Sequence, residues 1–112
     1  VEKSKRALYI EEREGKEIIE DDIGFVEYLH NPTKGELYIT DMYILPEYRG
    51  WKLATKYHDE IVRIGKDRQC GYIMASFDTE TKGWQHTLNM LESHDFKKEL
   101  IIDTLVVYRK DL

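Results

Sequence analysis

A mixed α/β fold, in the α+β class, with one mainly antiparallel sheet flanked by helices, is what this 112-residue sequence predicts. Three observations carry the expectation. The first 45 residues hold short strand-like runs separated by turn residues. After Pro46 the hydrophobic period changes from two to about 3.6 residues. A second strand-length apolar run follows, so a strand-helix-strand crossover is expected, with parallel neighbours and a right-handed connection. The short turns among the earlier strands favour antiparallel pairing instead.

Taken in order, "RALYIEE" (6–12) sets Leu8 and Ile10 against Ala7 and Tyr9 and reads as a short strand, ended by the Gly15 turn. "EIIEDD" is open between strand and loop, because its acidic end sits poorly in a sheet. "GFVEYLHN" (24–31) alternates Phe25, Glu27 and Leu29 with Val26, Tyr28 and His30 and reads as a strand, closed by Asn31-Pro32 and Gly35. "ELYITDMYIL" (36–45) is apolar on nearly both faces, which predicts a central strand covered on each side by helices. Pro46 ends it. From Trp51 to about Lys66, Leu53, Tyr57, Ile61 and Ile64 recur on one helical face, with charged residues on the others. "GYIMASFD" (71–78) reads as a buried strand. Trp84, Leu88 and Leu91, with the stem of Lys82, mark a shorter helix, and "DFKKELII" with "DTLVVYRK" forms a terminal hairpin or one bent strand.

Composition narrows the functional classes. A chain of this length buries roughly two thirds of its unfolded surface, enough for one core, so one domain over residues 1–112 is expected. The net charge of -5, with both signs spread throughout, gives no reason to expect nucleic acid. Cys70 stands alone, so neither an intrachain disulfide nor a cysteine zinc cluster can form, and it reads as a buried helix-end residue. His30, His58, His86 and His94 follow no metal-site motif and read as surface residues; no metal is expected. No apolar run reaches the ~18 residues of a membrane span, and the N-terminal segment has no signal-peptide pattern, so the cytoplasm is the expected compartment.

The segment "YILPEYRGWKLATKY" (43–57) carries the strongest chemical signal. A helix beginning near Trp51 leaves about four N–H groups without intrahelical partners, beside Arg49 and Lys52, and Gly50 permits close backbone approach. Phosphate would satisfy those donors and meet the positive end of the helix dipole. The same residues also fit a plain strand exit with both cations in water. Neither the dinucleotide fingerprint nor the Gly-Lys-Ser/Thr phosphate loop is present.

"MYILPEYRGWKLATKYHDEIV" resembles the coenzyme A-binding segment of the GNAT superfamily of acyltransferases, where an apolar strand passes through a Pro-acid-aromatic-Arg-Gly turn into a helix. Arg49, Gly50 and Ala54 match the family pattern, while Lys52 replaces a glycine. "TLNMLESHDFKKE" is similar to the later family helix and its Gly-Phe turn, with Asp95-Phe96 in that place; Asp tolerates left-handed backbone better than most residues. The resemblance covers roughly residues 6–110 in element order and implies that the chain lacks the usual first strand and early helices.

The resemblance implies acetyl-CoA, or coenzyme A, as the cofactor. It assigns its binding to Met42, Tyr43, Ile44, Arg49, Gly50, Trp51, Lys52, Leu53 and Ala54, with the pantetheine arm entering between strands that splay after Ile44 and around Ala75 to Phe77. The implied reaction is direct N-acetyl transfer to an unidentified amine, in which main-chain N–H groups stabilise the thioester oxygen. The family's tyrosine proton donor falls on Leu91, which cannot donate. Asp41, Tyr43 and Asp78 are therefore the candidate catalytic side chains, with Glu36 and Tyr72 as further titratable groups nearby in the pattern. Ser76 lacks a Ser-His-acid arrangement and is not read as a nucleophile. Leu91 and Lys52 keep a second reading open, a noncatalytic acyl-CoA-binding or protein-interaction module. A third is a phosphate-binding structural domain. A homodimer through an exposed terminal strand or helix is compatible with the pattern.

Overall fold

The computed structural model describes residues 3–49 and 53–112, with the side chain of Leu53 also left out. The order is helix α1 (Lys5–Glu14), strands β1 (Glu17–Asp21), β2 (Gly24–Asn31) and β3 (Glu36–Ile44), helix α2 (Leu53–Asp67), strand β4 (Tyr72–Asp78), helix α3 (Trp84–Ser93) and strands β5 (Lys97–Ile102) and β6 (Leu105–Asp111). The strands form one sheet in the order β1-β2-β3-β4-β6-β5. β3 and β4 are parallel and every other pair is antiparallel, as the crossover and short-turn arguments require.

The segment 6–12 is helix, not strand. Ser4 caps α1 by accepting from the Ala7 N–H at 3.0 Å, and Gly15, at φ 67°, ends it in left-handed backbone. Its inward face is Ala7 and Ile10, three residues apart, and both Leu8 and Tyr9 are exposed. The first strand is instead "EIIED", and its acids have reasons to be there. Glu17 takes two bonds from Arg68, and Asp21 turns outward at the hairpin end to meet α2.

Two faces of the sheet are treated differently. One is covered by α2 and α3 over Val26, Tyr28, Leu37, Ile39, Ile73, Ala75 and Phe77, with Tyr57, Ile61 and Leu91 as the helical contribution. The opposite face carries α1, which packs Ala7 and Ile10 on Ile18 and Phe25 near the β1 edge. The expectation that β3 is covered on both sides therefore holds only in part: Leu37 and Ile39 are buried, whereas Asp41 and Tyr43 are exposed. The 36–45 run is apolar by composition, but α1 lies over β1 and leaves the far half of β3 open.

The terminal segments form a hairpin, not a bent strand. The turn before it bears out the Asp95 reading, since Asp95 sits at φ 67° and lets the Phe96 N–H return to the Leu91 carbonyl at 3.0 Å. Lys82 lies in the turn ahead of α3, exposed, and takes no part in that helix.

The surface reading of the histidines fails at His58. Its ring stacks on His94 at 4.4 Å between centroids; Nδ1 meets Asp59 Oδ1 at 3.0 Å, and Nε2 is buried with no hydrogen-bond partner. His94 is itself held by the Met90 carbonyl and the Thr55 hydroxyl, and Lys110 bonds the His94 carbonyl. Burial pushes the His58 pKa below the usual imidazole value against the opposing hydrogen bond from Asp59, with Lys110 and His94 adding smaller pushes downward. A depressed folded pKa means that the unfolded chain binds the proton more readily. The contribution is complete above the ordinary pKa of about 6.5 and is lost as pH falls through the folded value. The melting temperature is thus expected to drop on acidification below about pH 6.5, and His58→Phe should flatten that part of the profile. An unchanged profile in the variant would refute the assignment.

Candidate functional site

The site is made where the sheet divides. β3 pairs with β4 only from Glu36↔Tyr72 to Ile39↔Ala75. Beyond that, residues 41–44 stay with β2 and residues 76–78 stay with β6. The cause is visible in the β2–β3 register. Glu27 faces Asp41, but the next residue, Tyr28, faces Ile39, so Thr40 is an extra residue, a β-bulge. A bulge bends its strand and increases the local twist, which carries the end of β3 away from β4. The opening thus starts after Ile39, earlier in β3 than the expected splay after Ile44.

Alternation places the main chain. The Leu45 N–H donates to the Ile23 carbonyl at 2.8 Å, so Leu45 and Tyr43 direct their backbone groups to β2, and Met42 and Ile44 direct theirs to the opening. Two contacts agree. The Met42 N–H donates to the carboxylate of Asp41 at 2.9 Å, and the Ile44 carbonyl accepts from Arg49 Nε at 2.8 Å. The Met42 and Ile44 side chains pack on the helix-covered core.

The three candidate catalytic side chains share the other face. Asp41 and Tyr43 lie two residues apart on β3, and Asp78 ends β4 on the far side of the opening. Tyr43 stands beside Phe25, with the Arg49 guanidinium 5.4 Å from its ring centre. Asp78 is engaged in a turn, its Oδ1 accepting from the Glu80 N–H at 2.8 Å. Between them the hydroxyls of Tyr38 and Ser76 meet at 2.6 Å, so Ser76 is partnered by a phenol and no histidine approaches it. Glu36 and Tyr72 sit at the closed end of the β3–β4 pair, joined by a 2.9 Å hydrogen bond.

Glu27 is the residue the sequence reading missed. It is 6% exposed, the one buried charged residue among those described, and its Oε1 accepts from Thr40 at 3.4 Å with Lys16 Nζ 3.7 Å away. Strand alternation grouped it with Phe25 and Leu29 without saying which face is covered; it pairs with Ile18, on which α1 packs.

Among the predicted cofactor-binding residues, Arg49 closes the short 3-10 turn Pro46–Tyr48, and Leu53 and Ala54 open α2. Gly50, Trp51 and Lys52 lie outside the described residues. The start of α2 is fastened to the β1–β2 turn through Asp21, which accepts from Lys56 at 2.7 Å, from the Tyr57 hydroxyl at 2.6 Å and from the Ile23 N–H at 3.0 Å. Burial raises the Asp21 carboxyl, but these donors outweigh it and hold it below its ordinary value, while burial and then Asp21 raise the Tyr57 phenol. Leu91, 1% exposed, is core. Cys70 is buried at the end of α2, and burial raises its thiol pKa. Among the described residues no group of three or more His, Cys, Asp and Glu side chains is arranged to hold a metal, and no helix is long and apolar enough to cross a membrane.

Comparison with known proteins places this arrangement. The profile described as "Acetyltransferase (GNAT) family" matches residues 3–96. Curated protein sequences return no match. Among solved structures, the chain is similar to a PaiA N-acetyltransferase from Thermoplasma acidophilum in complex with coenzyme A, at 16% identity and TM-score 0.72, covering 92% of this chain and 66% of that one. A Bacillus subtilis acetyltransferase in complex with CoA matches at 11% identity and TM-score 0.70, covering 96% and 84%. A ribosomal-protein-alanine N-acetyltransferase from Brucella melitensis matches at 14% and 0.67, covering 96% and 75%. The chain spans 63% and 64% of the length of two other matched acyltransferase structures. With the profile covering most of the sequence, and the divided sheet beside a Pro-Glu-Tyr-Arg turn, this chain belongs to the GNAT family of acetyltransferases.

Proposed function

We propose that the chain binds acetyl-CoA and transfers its acetyl group directly to an amine. The observation that carries the reading is the opening beyond Ile39 and Ala75, with the main chain of Met42 and Ile44 turned toward it and the start of α2 just beyond. Bound acetyl-CoA would supply the activated thioester. The main chain from Arg49 to Ala54 holds its pyrophosphate, and the opening admits its pantetheine arm. Arg49 is already engaged by the Ile44 carbonyl and the Tyr43 ring, so main-chain donors carry most of the phosphate recognition and Lys52 adds charge.

The Asp41 carboxylate now rests on the Met42 N–H, where an acyl oxygen would be stabilised. Once displaced from that N–H, the Asp41 carboxylate would be free to take the proton of the attacking amine, directly or through water. Tyr43 and Asp78 line the same face and orient the acceptor. Leu91, in the core, cannot supply a proton, so the coenzyme A thiolate would have to be protonated by solvent.

Calorimetric titration with coenzyme A and with its 3'-dephospho form tests the binding step, separating pyrophosphate from ribose-phosphate recognition. Gly50→Val should weaken both by crowding the backbone, and Arg49→Ala should cost less. Asp41→Asn should lower release of free coenzyme A in the presence of amines while leaving cofactor affinity unchanged. Failure of the folded wild type to bind either compound at millimolar concentration would sink the proposal. Binding without release across amines, polyamines and peptides would favour the noncatalytic module, which Leu91 supports.

A further inference from the structure

We infer that Glu27 is a positioning residue for acetyl transfer: its buried carboxylate holds the Thr40 bulge, and through it the Met42 N–H that meets the acyl oxygen. The role in transfer rests on the proposed function, whereas the hold on the bulge stands on the strand register. Thr40 lies at the branch of the sheet. No residue faces it in β2, where Glu27 takes Asp41 and Tyr28 takes Ile39, and none faces it in β4, whose pairing with β3 ends at Ile39↔Ala75. Neither register fixes this residue. Its hydroxyl instead donates to Glu27 Oε1 at 3.4 Å. Met42 is two residues further along the same strand, so a rotation of the bulge re-aims its N–H.

Stability gives no reason for a carboxylate at this position. Glu27 is buried, its neighbour in β1 is Ile18, and Ile18 packs with Ala7 and Ile10 of α1, so an apolar side chain would extend that cluster. Its neighbour in β3 is Asp41, and like charges at facing positions oppose each other. The countercharge is Lys16, whose Nζ lies 3.7 Å from Glu27 Oε1 and 3.3 Å from Glu14. Apolar residues often replace a buried ion pair with no loss of stability. They cannot accept a hydrogen bond from Thr40. A side chain that packing disfavours, touching a position that neither strand pairing fixes, is set by what it does for the site.

Three substitutions separate positioning from packing. Glu27→Leu should match or exceed the wild-type denaturation midpoint and keep coenzyme A affinity, yet lose roughly 10- to 100-fold in kcat with amine acceptors. Glu27→Gln, whose amide oxygen still accepts from Thr40, should recover most of that loss. Thr40→Val removes the hydroxyl without altering the buried position and should reproduce the loss. Combining it with Glu27→Leu should cost no more than either change alone, because both break the same bond. Backbone amide exchange reads the bulge with neither cofactor nor acceptor present: the Thr40, Asp41 and Met42 amides should exchange about tenfold faster in Glu27→Leu and Thr40→Val, with β4 unchanged. A wild type without turnover would defeat the proposed function, and with it the role in transfer, while the exchange rates still decide whether Glu27 holds the bulge. Wild-type kcat in Glu27→Leu, a loss in Glu27→Gln as large as in Glu27→Leu, or unchanged exchange at Met42 would each overturn the inference.

Discussion

Gly24→Ala is expected to cost roughly 3 kcal/mol or more of stability and to abolish coenzyme A binding by any molecules that remain folded. A Cβ at Gly24 would lie 2.0 Å from the Tyr43 carbonyl oxygen and 2.9 Å from the Ile44 Cα. Both are backbone atoms in the paired β3, so no rotamer change relieves the clash. The β2–β3 ladder must part at Gly24↔Ile44, and the adjoining bond from the Leu45 N–H to the Ile23 carbonyl goes with it. Those contacts direct the main chain of Met42 and Ile44 into the opening, so damage there reaches the site as well as the fold. Denaturant unfolding measures the first effect and titration the second. A variant within about 1 kcal/mol of wild type would show that the two strands do not approach as described.

Leu91→Ala is expected to lose about 2–5 kcal/mol, the range for emptying a fully buried leucine site. Leu91 is 1% exposed inside the cluster that joins α3 to the sheet, and its carbonyl accepts the N–H groups of His94 and Phe96 as the chain leaves the helix. The substitution leaves those backbone bonds in place and removes only side-chain packing. Chemical denaturation should therefore shift its midpoint with little change in slope. Turnover per folded molecule and cofactor affinity should stay at wild-type values. A selective loss of turnover with stability intact would instead make this position part of the chemistry.

The segments legible in the sequence are those whose local pattern is long or sharply punctuated. Fifteen residues of α2 repeat the helical period and bury Tyr57 and Ile61 at 1% exposure each, so its face could be read without its partner. Pro46 stops β3, and Asp95 takes the left-handed backbone expected of it. α1 was misread because ten residues with two inward side chains can match either period; the better signals were its ends, Ser4 and Gly15. Once that helix is taken for a strand, nothing predicts that Glu27 is covered.

By itself, then, the sequence determined the element types from Gly24 onward, the parallel crossover, and the Pro-Glu-Tyr-Arg turn that signals the family. These depend on backbone periods and on the φ preferences of Pro, Gly and Asp, which act within a few residues. Tertiary structure alone decided where the sheet opens, which face of β3 stays uncovered, and which acids and hydroxyls meet there. Thr40 becomes a bulge only through its register with β2, and Tyr38 meets Ser76 across 38 residues of chain. His58 is half-buried, with His94 stacked on its ring from the end of another helix. Such contacts are set by packing between distant segments, and no local pattern of hydrophobicity or charge encodes them.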